Sequence, residues 1–450
     1  MNKRPLILLH GYSDQGSSFD AWTKELIDHG YESQNIHVCS YVTLTNEVTI
    51  PDIAEGFERV LREQVGLNEN EEFDAIVHST GMLVIRSWIT GCMSRKPRLK
   101  HLIALAPASF GSPLAHKGRS WLGSIFKGNK EPGPDFLEAG NRILDELELG
   151  SRFTWELAEK DMLGGSPVYG PNRDTPYVFI FCGTEGYSGI RGWINKPGTD
   201  GTVRWAGCAL NTRKIVLDLT KSESVKKRID FPEWSNLDIP FLPVKGANHS
   251  SILRKPSKSL VDYVFKALSV GSQQELDRWY LDIHHASSDL LDQPTLWQQF
   301  VFRATDERGA PITDYFIQLE GRRKNGEIEE LQTFDLDVHT YDNDPSYRVF
   351  HVNLSELQPE TLESLSLRMI ASSGTTMVSY YGYVNERDRT SVAFDEQGKW
   401  HASLDISSLL REEKVKFFYP FTTTLVELRL NREPLPLTGR NKICWVEPKI

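Results

Sequence analysis

Cysteine is scarce in this 450-residue chain: five residues, Cys39, Cys92, Cys182, Cys208 and Cys444, with no two close together in sequence. That excludes a dense disulfide scaffold and a zinc-finger spacing, and the mostly apolar surroundings read as buried, reduced thiols. The adjacent His284 and His285 would point apart on a strand, or by about 100° on a helix, so they do not make a ligand pair either. No calcium-ligand set is discernible, and neither a metal nor a cofactor is expected. Long apolar runs are also missing, and nothing reaches the ~20 residues needed to cross a bilayer. Met1-Asn2-Lys3-Arg4 leads straight into the first apolar run, without the hydrophobic stretch of a signal peptide. The expectation is a cytoplasmic protein, with export by a route that uses no cleaved signal left open. Positive charge is in deficit, 51 Lys and Arg against 61 Asp and Glu for a net −10. Nucleic-acid recognition needs clustered cations, and the densest basic patch, Arg95-Lys96-Pro97-Arg98-Leu99-Lys100, reads as a solvated connection between a helix and a strand. Nucleic acid is therefore not an expected partner.

What the chain does have is a change of pattern along its length. At 450 residues it exceeds one hydrophobic core and suggests two domains. Apolar runs at about 5–9, 36–42, 73–77, 100–106, 176–182, 213–219 and 239–244 alternate with helical periodicity, as from Phe19 to Asp28 and from Asp52 to Val65. Alternation of this kind predicts a mostly parallel sheet covered by helices on both faces. From Gly111 to about Pro176 the pattern lapses into a Gly- and Pro-rich insertion, with a helical run near Phe136 to Leu149. After about Val270 a helical linking segment gives way to short alternating runs at 297–302, 314–319, 348–352, 366–370, 377–384, 415–419 and 424–430, the pattern of an antiparallel β-sandwich. The expected organisation is a catalytic domain over 1–270 with an insertion at 111–175, a linker over 271–295 and a β-sandwich accessory domain over 296–450.

The strand Phe73-Asp74-Ala75-Ile76-Val77 runs through His78-Ser79-Thr80-Gly81 directly into the helical run that starts at Met82. A serine on so sharp a turn stands above the sheet edge, next to the free N–H groups of a new helix. Upstream, Pro5-Leu6-Ile7-Leu8-Leu9 breaks at His10-Gly11-Tyr12; downstream, a strand at 239–244 leads into Lys245-Gly246-Ala247-Asn248-His249. Between them lies the acidic turn Gly198-Thr199-Asp200-Gly201-Thr202-Val203.

In the order Ser79, Asp200, His249, roughly the first 270 residues resemble the α/β-hydrolase superfamily, and within it the lipases. His10-Gly11-Tyr12 is similar to the lipase oxyanion motif, Leu105-Ala106-Pro107 through Phe110-Gly111-Ser112-Pro113-Leu114-Ala115 to the segment after the strand that follows the nucleophile helix, and 200–203 to the acid-bearing loop. The departure is Val77, where the family usually carries a small residue two positions before the serine. The resemblance implies an α/β-hydrolase domain with a cap or lid insertion, Ser79 as nucleophile, His249 as base and Asp200 as acid. It also implies an oxyanion hole from the N–H groups of Tyr12 and Thr80. By position the insertion matches a lipase cap, and its apolar Trp121, Leu122, Ile125 and Phe126 suit either an acyl-binding or lipid-facing wall or packing against the main core.

A serine hydroxyl needs a neutral imidazole to accept its proton as it attacks a carbonyl, and a carboxylate to hold that imidazole's tautomer. Glu185, directly after the strand at 176–182, is a second candidate for the acid. His10 and His78 read as structural hydrogen-bonding residues. The reaction implied is hydrolysis of carboxylic esters of lipids without a cofactor, with transient contact to a lipid surface. Two alternatives stay open: a phospholipase or acyltransferase, including a toxin delivered by another secretion machinery, and a catalytically idle hydrolase fold that binds a partner or glycan.

Overall fold

The computed structural model describes residues 3–11, 16–41, 47–91, 98–115, 141–164, 168–170, 175–188, 195–221, 228–232, 239, 241–285, 295–375, 377–384, 399–411 and 416–434. Two compact units divide the chain, one made of Met1–Thr212, Glu233–Thr295 and Phe421–Thr423, the other of Arg213–Pro232, Leu296–Pro420 and Thr424–Ile450. In chain order the elements begin β1 (Leu6–Leu9), α1 (Asp20–Asp28), β2 (Ile36–Cys39), α2 (Ile50–Glu63), β3 (Phe73–His78), α3 (Gly81–Gly91) and β4 (Leu99–Leu105). They continue with α4 (Asn141–Leu147), α5 (Arg152–Asp161), β5 (Tyr177–Gly183), α6 (Trp205–Cys208), β6 (Thr212–Asp218), β7 (Ile229–Asp230), β8 (Phe241–Val244), α7 (Ser251–Arg254), α8 (Lys258–Leu268) and α9 (Gln273–His285).

The first unit is built on a six-stranded sheet in the order β2-β1-β3-β4-β5-β8, parallel throughout. Both faces are covered, so β1 and β3 are buried along their whole length, which is why they read as unbroken apolar runs rather than alternating ones. The strand order reverses at β1, so the ends of β1 and β3 flank the crevice where such sheets carry their sites. Local chemistry starts the helices. Thr49 accepts from the Asp52 N–H while the Asp52 carboxylate accepts from the Thr49 N–H, a capping box that opens α2.

Helix α3 is buried at every position from Gly81 to Ile89, which leaves the Arg86 guanidinium in the interior. Asp161 at the end of α5 meets it with a bidentate pair, Nε to Oδ2 at 2.7 Å and Nη2 to Oδ1 at 2.9 Å, and Tyr169 donates to the same carboxylate at 2.8 Å. The pair ties α3 to α5, and removing one partner strands a charge away from water.

Three sequence expectations are corrected. The apolar run at 213–219 is not a strand of the parallel sheet. As β6 it lies in the sheet of the second unit, paired antiparallel with β7, with Lys214 in an ion pair to Glu427 at 3.0 Å. Its periodicity marks a buried strand equally well in either sheet, and only pairing chooses between them. The segment 271–295 is not a plain connection: α9 belongs to the first unit, with Trp279 buried edge-on against Phe179 at 4.6 Å between ring centres. Residues 416–419 form no strand. In the insertion, the helical expectation near 136–149 corresponds to α4, while Trp121, Leu122, Ile125 and Phe126 lie outside the described residues.

Among the described residues the second unit is mostly β, with a short helix, Leu354–Leu357, and three 3-10 turns. It adds β9 (Trp297–Asp306), β10 (Asp314–Arg323), β11 (Ile328–Glu330), β12 (Val338–Thr340), β13 (Tyr347–Asn353), β14 (Leu362–Ser372), β15 (Val378–Tyr381), β16 (Trp400–Asp405) and β17 (Thr423–Pro434). One sheet runs β11-β10-β14-β16, the other β12-β13-β9-β17-β6-β7, with β15 on β17. On β10 and β14 the inward residues Ile317 and Leu319 lie in register with Met369 and Leu367, the two-residue period of a half-buried strand. Phe300, Phe302, Phe334, Phe350, Phe417 and Phe418 form one aromatic cluster in this core.

Asp161→Ala is expected to lower the unfolding free energy of the first unit by about 3–5 kcal/mol, because Arg86 is left buried and unpaired. Urea denaturation followed by tryptophan fluorescence measures it; a loss below about 1 kcal/mol would mean that the pair is not holding α3 to α5.

Candidate active site

Ser79 sits between β3 and α3 with φ of 52°, a left-handed backbone that a residue with a side chain rarely adopts. Such a turn costs about 1–3 kcal/mol and persists only where its surroundings impose it. Here the surroundings are backbone. The Ser79 N–H donates to the Leu105 carbonyl at 3.3 Å, and its own carbonyl accepts from the N–H groups of Met82 and Ala108, each at 3.1 Å. Two glycines let the chains come this close. A Cβ on Gly81 would stand 2.7 Å from the Leu9 carbonyl oxygen, and one on Gly11 would stand 2.7 Å from Ser79 Cβ. Val77, the departure from the family pattern, is accommodated inside the sheet, in register between Leu9 and the small Ala104.

His249 follows β8 and brings its Nε2 to 3.1 Å from Ser79 Oγ, with Nδ1 at 2.8 Å from Asp200 Oδ2. A carboxylate can only accept, so Nδ1 carries the proton and Nε2 presents a lone pair to the serine hydroxyl. The backbone repeats the link, since the His249 N–H donates to the Asp200 carbonyl at 3.1 Å. All three side chains are buried, which strengthens each hydrogen bond relative to water.

Asp200 is itself tightly held. Its Oδ1 accepts from the N–H groups of Thr202 and Val203, both at 2.9 Å. The loop around it is tied down by Ser112, whose hydroxyl donates to the Thr202 carbonyl at 2.7 Å, and by Tyr187, whose hydroxyl lies 3.0 Å from Thr202 Oγ1. Asn195 brackets Tyr187 in turn, accepting from its N–H at 2.8 Å and donating to its carbonyl at 2.7 Å. Of the two acids considered from sequence, the structure puts Asp200 against His249. The Glu185 side chain is exposed, and its N–H is used by the Ala247 carbonyl at 2.9 Å.

His78 donates from Nε2 to the His249 carbonyl at 2.9 Å, with the ring centres 4.8 Å apart. It thereby joins the residue before the serine to the loop that carries His249. Burial and the neighbouring His249 ring push its pKa well below the ordinary histidine value, so it stays neutral. His10 turns its Nδ1 to the Gly11 carbonyl at 2.6 Å and stacks on Tyr41. Both behave as the structural hydrogen-bonding residues that sequence reading expected. Thr80 directly follows Ser79 and is buried, with its carbonyl capping the first turn of α3 through the Leu83 N–H at 2.9 Å. Tyr12 lies outside the described residues. Ser112, Tyr187 and Asn195 were missed because each acts through contacts that form only on folding. Among the described residues no three His, Cys, Asp or Glu side chains gather as metal ligands, and no helix is long and apolar enough to cross a membrane.

The contrast between the two acids is testable. Asp200→Asn is expected to cut ester turnover by about 10³–10⁴-fold, since the imidazole loses its tautomer and the partner of its positive charge, whereas Glu185→Gln leaves turnover within about twofold. The reverse pattern in steady-state assays would move the acid to Glu185.

The family model Lipase (class 2) matches residues 3–104, the stretch from β1 to β4 that contains Gly11 and Ser79. Phospholipase PlaB from Legionella pneumophila superposes with a TM-score of 0.75 at 21% identity, covering 99% of this chain and 98% of that one. The same phospholipase in complex with thio-NAD gives 0.74 at 20% identity, again over 99% and 98%. The mature lipase BlEst2 from Bacillus licheniformis gives 0.38 at 15% identity over 59% of this chain and 92% of that one. No curated protein matches the sequence. In fold, the chain is similar to phospholipase PlaB over nearly its whole length, with a six-stranded parallel sheet of the α/β-hydrolase type and a further β domain.

Proposed function

We propose that this protein hydrolyses carboxylic esters of lipids through a Ser79-His249-Asp200 triad and an acyl-enzyme intermediate. The observation that carries the reading is the unbroken hydrogen-bond chain from Asp200 Oδ2 through His249 to Ser79 Oγ. A hydroxyl serving only as a helix cap has no use for an imidazole whose far side is held by a buried carboxylate. For the same reason the idle, partner-binding alternative finds less support.

As Ser79 Oγ bonds to the ester carbonyl carbon, its proton passes to His249 Nε2, and Asp200 stabilises the imidazolium. The carbonyl oxygen becomes an oxyanion, which the backbone N–H of Thr80 and that of Tyr12 would receive. Collapse breaks the bond to the leaving oxygen, which takes the proton from His249 and departs as the alcohol. Water then adds to the acyl-serine, giving its proton to His249, and the acid leaves as Ser79 regains its hydrogen. The positive φ at Ser79 keeps the hydroxyl aimed through both halves of the cycle, and the bond from His78 to His249 keeps the base in reach.

The lipid assignment is supported by the match of the first strands and the nucleophile turn to Lipase (class 2). The overlap with phospholipase PlaB along nearly the whole of both chains favours phospholipids among lipid esters. A substrate of that kind is met at a lipid surface, so transient contact with such a surface belongs to the same proposal.

A fluorophosphonate is expected to label the wild-type protein on Ser79, and Ser79→Ala to lose both the label and turnover, by about 10⁴-fold or more. A folded protein that takes no label would sink the reading. Across p-nitrophenyl esters of rising chain length, kcat/KM is expected to rise with the acyl chain, as each buried methylene adds binding in the transition state. A maximum at acetate would make this a short-chain esterase instead.

A further inference from the structure

Two of the five cysteines, 26 residues apart in sequence, meet behind the carboxylate of Asp200. Cys182, the second-to-last residue of strand β5, places its Sγ 3.7 Å from Asp200 Oδ2, and Cys208, at the end of α6, places its Sγ 3.5 Å from that of Cys182. Both side chains are fully buried. Chemistry sets the direction of the chain. An ionised carboxylate has only lone pairs, so the Cys182 S–H donates to it; Cys182, its one proton spent, can only accept from Cys208.

From these contacts, and resting on the reading of Asp200 as the triad acid, we propose that Cys208 and Cys182 form a thiol relay that orients the Asp200 carboxylate, with Cys182 a positioning residue of the triad. Oδ1 is occupied by the Thr202 and Val203 N–H groups, and Oδ2 by His249 Nδ1. The thiol takes the lone pair that is left, so the carboxylate has each of its acceptor sites used and no reason to rotate away from the imidazole. A thiol suits this place because it donates weakly and never competes with His249 for the negative charge. Burial pushes both thiols up from their ordinary value, which keeps them protonated and therefore donors. At the far end the relay is anchored by Ser109, whose hydroxyl donates to the Cys208 carbonyl at 2.7 Å.

The test uses the full chain and a p-nitrophenyl ester. Cys182→Val keeps most of the volume and removes the donor; Cys182→Ala removes both. A donor drains charge from the carboxylate, so in both variants the carboxylate–imidazole pair should hold its proton more tightly. The acid limb of the kcat/KM profile is then expected to move up by about half a pH unit, with kcat down about threefold to tenfold and KM unchanged. Cys208→Val should shift the limb the same way and by less, since it only weakens the Cys182 S–H as a donor. His78, which faces His249 on its other side, is common to all variants. A pure packing role would leave Cys182→Val like wild type and alter only Cys182→Ala, and that pattern overturns the relay. A second readout needs no turnover: the S–H stretching band lost in Cys182→Val should move to higher frequency in Asp200→Ala, where its acceptor is gone, and an unmoved band overturns the relay as well. Full turnover in Asp200→Asn would remove the triad reading and the relay together. Loss of turnover there, beside wild-type behaviour in Cys182→Val, would remove the relay alone.

Discussion

The site depends on a backbone turn that should not be comfortable. Ser79 is held with φ of 52° because two hydrogen bonds with a neighbouring chain segment and one from its own helix close around it, and because no side chain occupies Gly11 or Gly81, where a single carbon would collide. The strain is local and small beside the burial energy of the sheet that imposes it. What it secures is direction: the hydroxyl points at His249 rather than back along its own helix.

Around this turn the polar groups are arranged in a closed series. His249 is held at both ends, by Asp200 on its ring and by His78 on its carbonyl. Asp200 is held by the backbone of its own loop, and the loop by Ser112, Tyr187 and Asn195. Buried polar groups are costly when left unmet and rigid when fully met. Here both ring nitrogens of His249 and both carboxylate oxygens of Asp200 have partners, which favours one geometry over an average of rotamers.

The second unit shows how weakly chain order constrains partnership in a sheet. Residues 213–232 lie between two stretches of the first unit and yet belong to the second. In the other direction, Phe421–Thr423 belongs to the first unit, where Phe421 stacks on Phe241 and the Thr423 N–H donates to the Asn211 carbonyl at 2.9 Å. A strand's backbone groups pair with any strand that presents its edge, so the choice falls to the side chains that come with it. For β6 these include Lys214, which finds Glu427.

The order of elements through β5, the parallel sheet, the β character of the last third, the sharp strand-to-helix turn at Ser79 and the loop that carries His249 were all legible in the residues. Each is written in local pattern: a continuous apolar run, a helical period, a glycine just past a strand. Three matters were not. Whether 213–219 joins one sheet or the other, whether Asp200 or Glu185 reaches the imidazole, and that Cys182 and Cys208 touch were settled only in three dimensions. Periodicity reports which face of an element is buried and says nothing of what lies across from it, because backbone hydrogen bonds are the same for every residue. Two acids after one strand are equivalent by position alone; in the structure Glu185 is exposed and Asp200 is buried against His249 Nδ1.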